Sequence, residues 1–458
     1  MVTYQDYLMI GDSDKERMEF VKKVINDYKG SELYRDALVA YDYFCKKNTT
    51  ITNYQKMLNN LYGQKVIDKW SPNHKVVSGF FKRFVTQQTQ FLLGNGISWD
   101  KETALDDSFD IVLQKIAKQS LWGAVSYGFW NLDKMTDFSA LEFAPLYDEE
   151  TSALRAGVRW WQIDANKPLR ATFYEEDGYT EYIWNQRVEN GETKTDGQVL
   201  REKRGYVMNT VHTDVDGTEI VGYTNYASFP IVPLWGNEEH QNELTGIRAG
   251  IDEYDLLKNG FANDLDNAMI YWVIEGAGGM DDPDLAQFLE RLRLTGAVAP
   301  AEGQKVSAVP VQIPYEARDT LLNRVEHDLY RDYMALNTEE LSSRNATATE
   351  IKAAYEPMNA KADDFEYQIL EFLNRIMELA GIDAKPTFTR SYIVNAQEEV
   401  TTVLSAASYT GAEYTTQKVL TILGDGDKAD EIIKAQDADE IDKIGETETE
   451  EPTEEEER

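Results

Sequence analysis

The chain reads as an α+β protein, mainly helical, with one β-rich block set into it. Three observations carry this. Apolar residues recur at three- and four-residue spacing over much of the first third and over two long segments beyond residue 246. Between about Phe129 and Trp235 that rhythm gives way to short aromatic and β-branched runs separated by turn residues. The length, 458 residues, leaves room for about three domains at ~150 residues each.

In chain order, Lys15 to Tyr28, Glu32 to Cys45 and Tyr54 to Leu61 are helix candidates, parted by Gly30-Ser31 and by Asn48-Thr49-Thr50. Lys75 to Leu93 has the clearest helical face: Val76, Val77, Phe80, Phe81, Phe84, Val85, Gln88, Phe91 and Leu92, closed by Gly94-Asn95-Gly96 as a C-cap. Asp107 to Trp122 follows, with acidic residues at the positive end of its dipole. Strands are expected at Val158 to Ile163, Ala171 to Tyr174, Thr180 to Trp184 and Gly205 to Met208. Their turn signals are Glu176-Asp177-Gly178, Glu189-Asn190-Gly191 and Asp214-Val215-Asp216-Gly217, the pattern of antiparallel hairpins.

A long helix is expected from Ile247 to Trp272, ~39 Å at ~1.5 Å per residue. Its inward stripe is Ile247, Ile251, Tyr254, Leu257, Phe261, Leu265, Met269 and Trp272. A small insert, Val273 to Pro314, combines a strand near Tyr271 to Ile274, a helix at Pro283 to Leu294, and a strand at Val306 to Ile313 whose Pro310 suits an edge. Helix returns from Glu316 to Leu336, with Leu322, Val325, Leu329, Tyr333 and Leu336 on one face, and pauses over the polar Asn337 to Thr349. It resumes from Glu350 to Ala380, with Ile351, Tyr355, Met358, Phe365, Ile369, Leu373, Ile376 and Leu379 inward and a kink expected at Pro357. Val400 to Ala407 and Thr416 to Leu423 read as short helices. From Asp437 to Arg458 twelve acids face only Lys443 and Arg458, a self-repelling tail expected to be disordered.

Composition narrows the function. A 42% hydrophobic content suits folded cores. Lys and Arg number 46 against 81 Asp and Glu, a net charge of −35, so the chain cannot grip nucleic acid with a generally basic surface. Cys45 is the only cysteine, which excludes an intrachain disulfide and a cysteine-based zinc site. The opening residues lack a signal peptide's pattern, and no apolar run approaches the ~20 residues that span a bilayer, so a protein made in the cytoplasm and away from membranes is expected.

No catalytic constellation, metal site or cofactor site stands out. Gly276-Ala277-Gly278-Gly279 has no Lys behind it, as a phosphate loop requires. His74, His212, His240 and His327 are far apart; His212 with Asp214 and Asp216 reads better as a hairpin turn than as a cation site. Asp425-Gly426-Asp427 opens like a calcium loop but lacks its later ligands.

The order of elements suits a ring subunit whose helix pair lines or braces a channel: a mixed body, a helix out, a small insert, a helix back, a polar loop and a kinked helix. The sequence also resembles the portal protein family of tailed bacteriophages, siphophage type, SPP1-like. Asn73 to Trp99 is similar to the family's early helix, with Phe91-Leu92-Leu93-Gly94-Asn95-Gly96-Ile97 at its close. Phe229-Pro230-Ile231-Val232-Pro233-Leu234-Trp235-Gly236-Asn237 followed by Ile251-Asp252-Glu253-Tyr254-Asp255 resembles the passage from wing into stem. Ile313-Pro314-Tyr315-Glu316-Ala317-Arg318, with Asn345-Ala346-Thr347-Ala348-Thr349-Glu350 beyond it, resembles the return stem helix and the loop before the kinked helix. Ala346-Thr347-Ala348 departs from the small Ser-Gly pair usual there. The likeness covers roughly residues 70 to 380.

The resemblance implies a portal-like fold. It comprises a wing (1–246, β-rich over 129–235), stem helices (247–272 and 315–336), a small α/β clip (273–314), a tunnel loop (337–349), a kinked helix with wing and crown (350–436) and the acidic tail (437–458). It implies a head-tail connector, a homo-oligomeric ring of about twelve copies at one capsid vertex of the virion, which double-stranded DNA crosses in packaging and ejection. Implied partners are the terminase large subunit, a head-completion or tail adaptor protein, and the scaffolding and major capsid proteins. ATP chemistry belongs to the terminase, so no enzymatic activity and no cofactor are expected. Arg344 and Asn345 in the loop, with Lys258, Arg318 and Arg324 on the stem, are the candidate DNA contacts. Asp281, Asp282, Asp284, Glu290, Arg291 and Arg293 are the candidate partner surface of the clip. Two alternatives stand beside this reading: another phage structural protein, such as a minor head or baseplate component, and an acidic carbohydrate-active enzyme suggested by Trp160, Trp161 and Trp184.

Overall fold

The structure is a computed structural model. It describes residues 2–11, 13–59, 64–68, 71–189, 192–213, 219–266, 270–275, 287–288, 290, 305–310, 314–343, 347–392, 396–423, 426, 429 and 432–434. The chain divides into two units, Met1–Ala335 with Ala360–Thr389, and Leu336–Asn359 with Arg390–Arg458. Mixed helix and sheet is observed, as the sequence predicts.

The larger unit opens with α1 (Tyr4–Leu8), α2 (Asp14–Lys29), α3 (Glu32–Phe44) and α4 (Thr49–Thr52), then a ribbon of β1 (Met57–Asn59) and β2 (Lys65–Ile67). Ser13, Ser31 and Asn48 cap the N-termini of α2, α3 and α4 with side-chain oxygens. The helix expected at Tyr54 to Leu61 is not formed: Met57, Leu58 and Asn59 pair with Ile67, Val66 and Lys65, so cross-strand bonds replace helical ones there. Next come α5 (Phe80–Leu93), β3 (Ile97–Trp99) and α6 (Phe109–Gly123).

The β-rich block holds β4 (Val125–Asn131), β5 (Lys134–Ser139), β6 (Phe143–Tyr147), β7 (Leu154–Trp161), β8 (Leu169–Glu175), β9 (Gly178–Glu189), β10 (Glu192–Arg204), β11 (Val207–Thr213), β12 (Glu219–Thr224) and β13 (Ile231–Trp235). Strands β6 to β10 form one antiparallel meander and β13-β4-β5 a smaller sheet. The meander's two faces follow the period of two. Ala156, Val158 and Trp160 on β7, with Ala171 and Phe173 on β8 and Tyr182 and Trp184 on β9, pack against Val21, Val24, Ile25 and Tyr28 of α2. The opposite face, which carries Phe143 of β6, packs on Phe138 of β5 and Tyr127 of β4. Gly157 is required there, because a Cβ would sit 2.1 Å from the Phe143 ring.

After the block come α7 (Arg248–Asp266), a ribbon of β14 (Ile270–Glu275) and β15 (Lys305–Pro310), α8 (Tyr315–Tyr333), α9 (Thr338–Ser343), α10 (Ala348–Ala380), β16 (Pro386–Phe388), α11 (Ala396–Ser405), α12 (Ala407–Thr410) and α13 (Ala412–Leu423). The long helix ends sooner than its periodicity suggests: Ile270, Tyr271 and Trp272 pair with Pro310, Val309 and Ala308 as a strand. Among the described residues β14 and β15 form a two-stranded ribbon, so Pro310 lies at an edge there, as expected. Of the helix expected at Pro283 to Leu294, only Gln287, Phe288 and Glu290 are described, and they are helical. α10 runs through Pro357 without interruption, and the boundary between the units falls just beyond it, at Asn359 and Ala360. Thr347 and Glu350 start α10 as a capping pair: Glu350 N donates to Thr347 Oγ1 at 3.3 Å, and Thr347 N donates to Glu350 Oε2 at 2.9 Å. The acidic tail from Asp437 lies outside the described residues.

The main core joins α5, α6 and the second half of α10. Phe365, Ile369, Phe372, Leu373 and Ile376 step along one face of α10 and are buried against Phe84, Val85, Leu92, Leu113, Ile116 and neighbours.

Candidate functional site

The helices α7 and α8 pack on each other and on α5. Gly250 permits their close approach, since a Cβ would lie 2.9 Å from Leu329 Cδ2. Phe80 meets Tyr254 edge-on at 4.9 Å, and Phe84 stacks on Tyr333 at 4.8 Å. Arg83 donates to the Tyr330 hydroxyl. Val325, Leu329 and Tyr333 of the predicted inward face of α8 are buried.

On α7 the burial differs from the predicted stripe. Leu265 is exposed, while Asp255, Asn259 and Asn263 are buried. These three polar side chains, four residues apart, hold the segment before α5 in extended form. Asn263 Oδ1 accepts from His74 N at 2.7 Å, Asn259 Oδ1 from Val76 N at 2.8 Å, and Asp255 Oδ1 from Ser78 N at 2.9 Å. Asn259 Nδ2 also donates to Val76 O at 2.8 Å. The spacings match: four helical residues rise ~6.0 Å and two extended residues ~6.6 Å, so alternate amides meet successive rungs. This is why Lys75 to Gly79, expected as the first turn of a helix, is not helical. The Val76 carbonyl, which a helix would offer to the amide of Phe80, accepts from Asn259 Nδ2 instead, and the Val76 and Ser78 amides are held by Asn259 and Asp255.

The ladder continues into α4. Asn48, fully buried, donates to Asp255 Oδ2 at 3.1 Å and to Asp252 Oδ1 at 2.9 Å, and Asp252 also accepts from the Tyr43 hydroxyl at 2.6 Å. Burial holds the Asp255 carboxyl above the usual carboxylate range. Beyond the ladder, the Asp266 carboxylate lies 2.5 Å from His74 Nε2.

A cleft of about 600 Å³ opens beside the ladder, floored by Ile51, Leu256, Leu257, Leu321 and Leu322 and edged by His74, Asp264 and Arg318. Arg318 pairs with Asp264 at 2.5 Å, its guanidinium 5.8 Å from the Phe261 ring. Lys258 is exposed, its ammonium 5.7 Å from the Tyr254 ring, and Arg324 is exposed on α8. Six residues apart on one helix, Arg318 and Arg324 point about 120° apart, so the structure does not gather the stem cations on one face. Arg344 and Asn345 lie outside the described residues, as do Asp281, Asp282, Asp284, Arg291 and Arg293; Glu290 is exposed.

Of the aromatic residues that suggested a sugar platform, Trp160 and Trp184 are core, 5% and 2% exposed beneath α2, whereas Trp161 is exposed. Among the described residues no group of three or more His, Cys, Asp or Glu side chains is placed to hold a metal, and no helix is long and apolar enough to cross a membrane. The ladder lies off the predicted apolar stripe, and the four-residue spacing of Asp255, Asn259 and Asn263 was its visible signal in the sequence.

The described residues form a mixed helical and sheet body with a packed antiparallel helix pair, α7 and α8. The chain belongs to the family of phage portal proteins, SPP1 Gp6-like, whose model it matches over residues 27–451. It is 23% identical over 436 residues to the portal protein of Bacillus phage SPP1, covering 87% of this chain and 83% of that one. It is 24% identical over 185 residues to the portal protein of Clostridium phage phiCD119, covering 38% of this chain and 41% of that one. A chain in the neck of an empty gene transfer agent particle aligns with a TM-score of 0.42 and 9% identity, over 75% of this chain and 90% of that one. The family assignment does not rest on it. The resemblance read from the sequence is thus borne out, and the family is a structural one of the phage virion.

Proposed function

We propose that the chain is the ring subunit through which double-stranded DNA enters and leaves the capsid at one vertex, with no catalysis of its own. The match to the portal family over residues 27–451 carries this reading. In it, 1–246 serves as wing, α7 and α8 as the helical parts of the stem, 273–314 as clip, 337–349 as tunnel loop, and 350–436 as kinked helix, wing and crown. The clip, with Glu290 and its neighbours Asp281, Asp282, Asp284, Arg291 and Arg293, serves the terminase large subunit during filling and an adaptor protein afterwards. Scaffolding and major capsid proteins surround the ring, which is made in the host cytoplasm.

The charge of −35 supports the same reading. A moving duplex must not adhere, and a mostly negative wall keeps phosphates hydrated within a Debye length of ~8 Å. Arg344 and Asn345 are the first candidates to touch DNA. Lys258 and Arg324 follow as exposed stem residues. Arg318 ranks below them because it must first release Asp264.

Negative-stain imaging with mass determination tests the proposal. Rings with a central hole and a mass about twelve times 52.3 kDa are expected. A compact dimer or tetramer without a hole, unchanged across salt and concentration, refutes it and favours another phage structural role.

A further inference from the structure

Where α8 ends and where α10 re-enters the larger unit, one ammonium group touches both. Lys361 lies one residue inside the larger unit's boundary at Ala360, and Tyr333 two residues before the other boundary at Ala335. Lys361 Nζ lies 2.5 Å from Glu243 Oε2, 3.2 Å from the carbonyl of Tyr333, and 3.5 Å from the centre of the Tyr333 ring. Glu243 is itself held by Asn237 Nδ2 at 3.1 Å and by its own amide, which donates to Leu121 O at 2.9 Å. Tyr333 is held from its other end, its hydroxyl donating to Gln88 Oε1 at 2.8 Å.

This pair differs from the surface ion pairs. The Lys361 and Glu243 side chains are 18% and 12% exposed, against 56% and 96% for Lys101 and Asp383. A half-dry pair with a helix carbonyl and a ring as further partners is held in one geometry, whereas an exposed pair is screened and contributes little. Met334 then leaves α8 in the left-handed conformation, with Ala335 N returning to Tyr330 O at 2.9 Å. The ammonium therefore sits on the last turn of α8, at its negative end, while belonging to α10.

We propose that Lys361 is a positioning residue. It ties the two chain crossings that bound segment 336–359 into one seat, so that the end of α8 and the re-entry of α10 open and close together. The importance of this for DNA passage rests on the portal reading, in which that segment includes the tunnel loop. The coupling of the two crossings does not.

Amide hydrogen exchange on the full chain tests it. In Lys361→Met, peptides covering residues 326–335 and 360–366 should both exchange about tenfold faster, with α2 and the five-stranded sheet unchanged. Lys361→Arg, which keeps the cation, should restore both. Glu243→Gln keeps an acceptor but removes the opposing charge, and should accelerate the same two peptides by less. It carries the test if Lys361→Met does not fold. Acceleration of one peptide alone, of neither, or of all peptides equally overturns the proposal, as does failure of Arg to restore. Absence of rings in the unmodified protein would instead count against the portal reading and leave the exchange result standing.

Discussion

Replacing Asn259 by Ala isolates the ladder on α7. The amide of Asn259 makes two bonds to Val76, through Oδ1 to the N–H and through Nδ2 to the carbonyl, both at 2.8 Å. Each contributes ~1 kcal/mol net, because the half-exposed Val76 backbone regains water when they are lost. Position 259 is helical whether the segment is seated or open, so the helix propensity of alanine cancels. The opening of segment 74–78 should become easier by ~2 kcal/mol, about thirtyfold in exchange of the His74 and Ser78 amides, which keep their acceptors Asn263 and Asp255. Asn259→Asp keeps the acceptor but loses the donor, and sets a second carboxylate one turn from the buried Asp255. It should open the segment further than Ala does, despite its closer shape. Exchange at His74 and Ser78 unchanged within about threefold, or an equal loss of protection throughout the larger unit, would refute the reasoning.

Other outcomes follow from the same contacts. Burial raises the Asp255 carboxyl, so the folded form holds its proton more tightly than the unfolded form. Its favourable contribution is complete below the unfolded carboxyl range and is lost as pH rises through the folded value. Protection of the Ser78 amide, corrected for intrinsic exchange, should therefore weaken with rising pH, and Asp255→Asn should flatten that dependence. Leu373→Ala empties a fully buried position of the main core and should cost about 2–5 kcal/mol, read as a lower urea midpoint. Arg318→Gln breaks a pair that is 33% and 41% exposed and should change stability by less than about 1 kcal/mol. An altered DNA passage in that variant would then report on DNA contact and not on folding.

The fold class, the helices α2, α3, α6, α8 and α10 and the antiparallel block were legible in the sequence, because apolar periodicity reports burial directly. Val325, Leu329, Tyr333, Phe365, Ile369 and Leu373 lie where their spacing put them. The portal family was legible too, through collinear stretches between about residues 70 and 380. The candidate site was less so. Periodicity ran past Asp266 into residues that pair as a strand, since Tyr271 and Trp272 suit either state and only β15 supplies the partner. Lys75 to Gly79 carried a helical pattern, yet its Val76 and Ser78 amides are claimed by side chains 183 and 177 residues away in sequence. The same holds for Arg318, whose partner Asp264 is on another helix, and for Lys361, which meets Glu243 and Tyr333 across the core. Local pattern and charge balance are properties of neighbours along the chain, and these the sequence by itself determined. Which polar groups find each other when distant segments pack is a property of three-dimensional proximity, and that only the tertiary structure decided.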